Sequence, residues 1–208
     1  GTLFWEPIHD FFEEHGRSAV TIIVILLLSR AVMGETTHLR LWGLFPSAQT
    51  SVLIQSLLPE ARLINAIGLV SGGLAIALLG PFRGFATALM ALLISLVCNV
   101  GAALWVPKPE AMAVAFLGAQ FARGMLVVGL VALIGSVVSK RHPAYQFSLL
   151  LVGAFLLGGY LQDIAGEGYT TLGPVAFYAV EFVLVVGLIL AFIFAKGTKR
   201  KELDGAVN

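Results

Sequence analysis

Residues 111–139 read AMAVAFLGAQFARGMLVVGLVALIGSVVS, a stretch long enough and apolar enough to cross a lipid bilayer as one helix. Gln120 and Arg123 lie near its middle, three residues apart and therefore on one face of that helix. Arginine keeps its charge, and placing it at the centre of a membrane helix costs about 2.5–3.5 kcal/mol on insertion scales. The sequence therefore predicts that a polar group elsewhere in the chain compensates Arg123.

The predicted partner of Arg123 is Glu181, the acidic residue deep within a second long apolar stretch, LGPVAFYAVEFVLVVGLILAFIF (172–194). We expect the two charges to face one another near the bilayer midplane, inside a bundle of helices. Such a pair serves either as a structural clamp between helices or as a functional centre, and the sequence leaves both readings open. The other candidate polar residues of the interior are Gln120, Asn99, Tyr178 and Arg30.

These four residues have structural readings as well as functional ones. Asn99 and Gln120 are residue types that often form hydrogen bonds between membrane helices. Tyr178 precedes Glu181 by three positions and so shares its helical face. Arg30 lies near the end of its apolar stretch, where a long cationic side chain usually extends to the head groups. Structure is therefore the favoured role for Asn99, Gln120, Tyr178 and Arg30.

The composition places the chain in lipid. Of 208 residues 58% are hydrophobic and only 12% are charged, where a soluble domain carries roughly 25% charged residues. The mean hydropathy is +0.93. A soluble protein of this size has too little interior to bury so much apolar surface.

Several functional classes are disfavoured by what the chain contains. A net charge of +1 without a concentrated basic patch argues against nucleic acid as a partner. One cysteine, Cys98, excludes an internal disulfide and a cysteine metal cluster. The four histidines fall near segment ends or in loops, so neither a metal site nor an intrinsic haem is expected. No catalytic residues are assigned, because no nucleophile–base pair or phosphate-binding loop is evident.

Six stretches of the chain are apolar enough to be membrane spans, which predicts an all-α, polytopic membrane protein. The spans cover 17–33, 62–79, 82–106, 111–139, 144–163 and 171–195. Residues 34–60 form a longer connection in which SVLIQSLL (51–58) is expected to be a brief interfacial helix. We therefore expect one transmembrane domain over 17–195 and a polar cytoplasmic tail over 196–208.

Basic residues are unevenly distributed between the predicted loops. With the amino terminus in the cytoplasm, eight lie on the cytoplasmic side and three outside. The eight are Arg17, Arg83, Lys140, Arg141, Lys196, Lys199, Arg200 and Lys201, and the three are Arg40, Arg62 and Lys108. This asymmetry follows the positive-inside rule, so we expect six spans in the inner (cytoplasmic) membrane with both termini in the cytoplasm.

The segment 3–14, LFWEPIHDFFEE, has an aromatic stripe and an acidic face at helical spacing. This pattern predicts a short amphipathic helix at the membrane interface. Anionic lipid would repel its acidic face, so docking on a neighbouring protein is an equally weighted alternative.

Arg30 followed by Gly34, a longer loop over 34–60 and the glycine-rich LVSGG at 69–73 form a recognisable combination. With these features residues 17–139 resemble the DoxX/DoxD family of small membrane proteins. The resemblance implies a membrane subunit associated with quinone-linked or thiol redox complexes, whose other subunits carry the cofactors. The chain departs from the family outline by adding two spans beyond residue 143 and by lacking an evident lysine after the first span.

Two functions are compatible with these observations. The first is a non-catalytic subunit or anchor of a larger membrane complex, surrounded by the lipid bilayer and other membrane subunits. It would have no intrinsic cofactor, and lipid or quinone would fill grooves between its helices. The second is a small proton-coupled transporter in which Glu181 alternates between a protonated state and a state paired with Arg123. A membrane enzyme acting on lipid substrates is a third, weaker class, since the chain lacks an acidic cluster for it.

Overall fold

The computed structural model describes residues 2–16, 18–32, 48–105, 109–160 and 182–193. Within these ranges all regular secondary structure is α-helical. The helices in chain order are α1 (Thr2–His15), α2 (Ser18–Val32), α3 (Ala48–Leu79), α4 (Pro81–Trp105), α5 (Pro109–Val137), α6 (Pro143–Tyr160) and α7 (Phe182–Ile193). The all-helical prediction is thus confirmed for the part of the chain that the structure describes.

Local sequence explains several of the helix ends. Gly16 and Gly80 follow α1 and α3 with φ angles of 50° and 80°, the left-handed conformation that glycine adopts without steric cost. Each of the two amides donates to the carbonyl four residues earlier at 2.8 Å. Pro81, Pro109 and Pro143 begin the next three helices, a position where the missing amide hydrogen would have no helical partner. The α3–α4 turn therefore needs only the glycine–proline pair.

Four of the described helices are long and apolar enough to cross a membrane. They are Ser56–Leu79 within α3, Pro81–Ala102 within α4, Ala113–Val137 within α5, and α6. Two shorter apolar helices, Ser18–Arg30 and Phe182–Ile193, fall within the first and sixth predicted spans. Residues 171–181 and the tail 196–208 lie outside the described residues, so the count of six spans stays a prediction.

Helix α3 differs from its prediction. Instead of a brief interfacial helix over 51–58 and a separate span, one continuous helix of 32 residues runs through Pro59. A proline inside a helix removes one backbone hydrogen bond and tends to kink the helix, but need not end it. Helical residues continue on both sides of Pro59, so the loss of one hydrogen bond does not end the helix.

Helix α5 is the most enclosed of the four long apolar helices. In its most apolar 18-residue window 61% of the residues are buried, against 39% in α4, 17% in α6 and 11% in α3. The core around it includes Leu126, Leu130 and Ile134, each at most 1% exposed. Side chains on α5 therefore meet protein on more sides than those of any other long apolar helix described.

Helices α3 and α5 run in the same direction and touch through their backbones. A Cβ atom added to Gly72 of α3 would lie 2.9 Å from the Cα atom of Met125. Gly68 and Gly124 face each other's helix backbone with even less space. Beside this contact the Asn65 side-chain amide donates to the Gln120 carbonyl at 3.0 Å. Small residues permit such close approach, as in the small-xxx-small pattern of membrane helices.

Helix α4 runs antiparallel to α5 and links it to α7. Phe85, which is fully buried near the start of α4, packs beside Gly129 of α5. Its ring also lies 5.3 Å from the ring of Phe192 in α7, measured between centroids. The described part of α7 therefore joins the bundle at the end where α4 begins.

We expect Gly72→Ala to lower the free energy of unfolding by about 1–3 kcal/mol, because the added methyl group meets the α5 backbone. Gly73→Ala is the matched control on the same helix, since nothing lies within 4 Å of its added Cβ. It should leave stability unchanged or raise it by about 0.5–1 kcal/mol. Thermal unfolding of the two purified variants in the same detergent measures the difference. Equal stability of the two variants would contradict the α3–α5 contact.

Candidate functional site: the buried polar layer

Four buried polar side chains on α4 and α5 form what we call the polar layer: Ser95, Asn99, Gln120 and Arg123. Their exposed fractions are 6%, 4%, 5% and 2%. Gln120 and Arg123 lie on α5, where neighbouring helices rather than lipid surround them. The two residues that the sequence marked in the central stretch are therefore both interior.

Asn99 ties α4 to α5. Its side-chain amide donates to the Ser95 carbonyl one turn earlier at 2.8 Å and to the Ala115 carbonyl of α5 at 3.2 Å. The first bond is local, whereas the second crosses between helices and fixes their relative position along the axis. A hydrogen bond of this kind is worth roughly 0.6–2 kcal/mol in a membrane protein. This geometry matches the structural reading of Asn99.

Arg30 has a different environment from Arg123. It is half-buried on α2, and its guanidinium carbon lies 5.0 Å from the centre of the Phe155 ring on α6. Its aliphatic part lies against Gly158, where an added Cβ would meet the Arg30 side chain. A cation over an aromatic face contributes about 0.5–2 kcal/mol. Arg30 thus joins α2 to α6 through both its charge and its stem.

Only Arg123 of the predicted Arg123–Glu181 pair lies within the described residues. Glu181 and Tyr178 lie outside the described residues, so their place relative to the polar layer stays a prediction. Neither Arg123 nor Arg30 lacks an interaction partner. A paired Arg123 has to lie in the protein interior rather than against lipid, and its burial is compatible with this.

The chemistry available to the polar layer follows from its residue types. Amide, hydroxyl and guanidinium groups donate hydrogen bonds, and the guanidinium stays protonated at all physiological pH values. These groups can hold an anion or a carboxylate but cannot take up and release a proton. Proton coupling at this centre would therefore depend on Glu181.

Sequence reasoning missed a second polar cluster, which fixes α1 to the loop between α5 and α6. Gln146 is 2% exposed. Its side-chain oxygen accepts from the Ser139 amide at 2.7 Å, and its side-chain nitrogen donates to the Pro7 carbonyl at 2.8 Å. Phe11 of α1 is buried nearby in the core at 4% exposure. The amphipathic helix therefore docks on its own chain, an arrangement that neither sequence interpretation considered.

An acidic side chain of α1 also lies close to basic residues of the loop between α5 and α6. One carboxylate oxygen of Asp10 on α1 lies 3.9 Å from an Arg141 guanidinium nitrogen and 3.8 Å from the His142 Nε2 atom. The Asp10 side chain is only 12% exposed, while Arg141 is 81% exposed. The acidic face of α1 and the sequence KRH at 140–142 were the signals that could have predicted the contact.

The aromatic stripe of α1 is divided between protein and surroundings. Phe11 faces the core, whereas Trp5 and Phe12 are 66% and 42% exposed. Phe11 stacks on His15 with 4.7 Å between ring centres. The exposed aromatic pair is available to the membrane interface, as the amphipathic pattern predicts.

One group of described residues brings metal-ligand atoms together. Atoms of His9, Asp10 and Glu13 lie within 4.8 Å of one another. The His9 and Glu13 side chains are 71% and 67% exposed and are 3.6 Å apart, which is typical of a solvated pair one helical turn apart. The group therefore gives no reason to assign a metal.

Comparison with protein-family models, with curated proteins and with solved structures gives no significant match. The similarity of residues 17–139 to the DoxX/DoxD family therefore stays a prediction.

We expect Arg123→Met and Glu181→Gln each to destabilise the protein by about 3–5 kcal/mol, because each leaves one buried group without its predicted partner. The double variant should lose less stability than either single variant, since it leaves neither a buried guanidinium nor a buried carboxylate without a partner. Unfolding in detergent measures all three, with Arg83→Gln as an exposed control expected within about 0.5 kcal/mol of the original protein. Additive losses would show that Arg123 and Glu181 do not interact.

Proposed function

We propose that the protein is a non-catalytic subunit or anchor of a larger membrane complex in the inner membrane. In this proposal six helices cross the bilayer and both termini lie in the cytoplasm. The DoxX/DoxD resemblance adds the expectation that the complex is a quinone-linked or thiol redox assembly. Cofactors then belong to other subunits, and lipid or quinone fills grooves between helices.

The observation that carries this proposal is the structural use of three side-chain amides in the described part of the chain. Asn65, Asn99 and Gln146 each donate to a backbone carbonyl of another helix or segment. Such bonds hold helices in fixed relative positions and leave the amides committed to that task. A rigid scaffold is what a subunit that positions other proteins requires.

Helix α3 supplies the surface for association. A row of large aliphatic side chains, which we call the α3 stripe, follows its outer face at helical spacing: Leu63, Ile67, Val70, Leu74 and Leu78, all between 46% and 81% exposed. The stripe extends over about 22 Å of helix. Its inner face is already fastened to α5 by glycine contacts. A partner helix on the stripe would leave α5 undisturbed.

A specific observation favours the alternative, a small proton-coupled transporter. Arg123 is 2% exposed at the centre of the bundle. Ionisable residues within membrane spans are rare and often belong to ion or proton pathways. Glu181 would alternate between a protonated state and a state paired with Arg123.

A photo-crosslinking residue placed at Val70 or Leu74 tests the subunit role in cells. We expect it to yield a discrete protein adduct, because a partner covers the α3 stripe. Ile94, which is 60% exposed on α4, is the matched control and should yield lipid adducts alone. Mass spectrometry of the adduct and of the protein purified in mild detergent should identify the same partner. Lipid adducts at all three positions, with a protein that purifies alone, would contradict the subunit role.

For the transporter alternative, we expect the purified protein in liposomes containing a pH-sensitive dye to admit protons when pooled metabolites are added. Glu181→Gln should abolish this signal while the variant stays folded by circular dichroism, since the amide cannot carry the proton. Glu6→Gln, on the exposed face of α1, should preserve it. Proton entry that survives Glu181→Gln would remove Glu181 from the mechanism.

A further inference from the structure

A cavity of about 410 Å³ lies between α1 and the loop joining α5 to α6. Three acidic residues of α1 and three polar or basic residues of the loop line it: Asp10, Glu13, Glu14, Ser139, Lys140 and Arg141. We propose that this cavity binds a zwitterion with a phosphate and a primary amine, presented as the head group of an aminophospholipid. The proposal applies equally to a subunit and to a transporter.

The position of the cavity in the chain points to the level of the lipid head groups. Its loop joins two helices that are each long and apolar enough to cross the membrane. Residues 138–142 are therefore where the chain leaves the hydrocarbon and enters it again. The α1 side of the cavity is connected through Gly16 to α2, another apolar helix. A lipid head group is thus the nearest ligand of this size and polarity.

The cavity is part of a fixed arrangement rather than a gap under a loose helix. Gln146 bonds to both of its sides, to the Pro7 carbonyl of α1 and to the Ser139 amide of the loop. Asp10 adds charge contacts to Arg141 and His142. The two walls are therefore joined directly by hydrogen bonds and by an ion pair.

The distribution of charge selects a zwitterion. Glu13 and Glu14 lie on one wall, and Lys140 and Arg141 on the other. A phosphate accepts hydrogen bonds from the ammonium and guanidinium groups of the loop. A primary ammonium donates to the two glutamates, whereas the quaternary ammonium of choline has no N–H to donate.

The sum of the charges disfavours an anionic head group. Three carboxylates and two basic side chains line the cavity, which leaves one negative charge in excess. A phosphoglycerol head group would bring a second negative charge and no cation to offset the carboxylates. A phosphoethanolamine group adds no net charge and can satisfy both walls.

Exposed aromatic residues give α1 a further face suited to the membrane interface. Trp5 and Phe12 are seven positions apart on α1 and therefore share one helical face. Aromatic side chains are enriched at the membrane interface, where their rings contact the upper part of the acyl chains. Helix α1 thus carries acidic residues on the cavity wall and exposed aromatic rings on another face.

Native mass spectrometry of the full chain tests the proposal with phosphatidylethanolamine, phosphatidylcholine and phosphatidylglycerol of identical acyl chains. We expect preferential retention of phosphatidylethanolamine. Glu13→Gln combined with Glu14→Gln should lower its retention about tenfold, and Lys140→Gln should weaken it by a similar factor. Glu6→Gln and Arg83→Gln are the matched acidic and basic controls, exposed and outside the cavity lining, and should not change retention.

Competition with water-soluble glycerophosphoethanolamine separates the two sources of this chemistry. The lipid is the ligand if the soluble compound displaces it only at a large excess. Displacement at equal concentration would overturn the lipid as the source and assign the cavity to the free zwitterion. Equal retention of the three lipids, or retention unaffected by the glutamate substitutions, would overturn the site itself. All five substituted side chains are exposed: Glu13, Glu14, Lys140, Glu6 and Arg83. Their substitution should therefore preserve the fold.

Discussion

Close contact between the backbones of α3 and α5 is the constraint on which the rest of the bundle depends. Apolar side chains gain little by leaving lipid tails for one another, so helices in a membrane associate through close packing and hydrogen bonds. Gly68, Gly72 and Gly124 allow the close packing, and the Asn65 amide supplies a hydrogen bond. With α3 on one side and α4 on another, α5 becomes the enclosed helix of the described bundle.

The enclosure of α5 also explains why two arginines within apolar helices have different surroundings. Arg123 is on the enclosed helix and is almost fully buried among protein atoms. Arg30 is on α2, remains half-buried and lies over the Phe155 ring. The two arginines thus differ in burial and in their contacts, although both lie in apolar sequence, because their helices occupy different positions in the bundle.

Helix α1 shows how charge patterns in a sequence can be satisfied within one chain. The sequence predicted that α1 lies at the membrane interface or, because anionic lipid would repel its acidic face, against a neighbouring protein. Instead, Asp10 on this face lies 3.9 Å from the Arg141 guanidinium and 3.8 Å from the His142 ring, both in the loop between α5 and α6. Because α1 closely precedes α2 in the same chain, with Gly16 at its end, its contact with the loop is intramolecular. A separate protein would have to match the high effective concentration that this connection gives. Gln146 then adds the directional bonds.

The sequence by itself determined the helical class, the four long apolar helices and many of their ends, because apolar length and the backbone preferences of glycine and proline are local properties. It also predicted an interior place for Gln120 and Arg123, since a permanent charge in the middle of so apolar a stretch is costly in lipid. Only the tertiary structure decided that Gly72 touches α5 while its neighbour Gly73 does not, that Asn99 bonds to Ala115, and that Gln146 holds α1. The physical reason is that nearly every helix here is apolar, so hydrophobicity carries little information about pairing, and the partner of each side chain follows from three-dimensional packing alone.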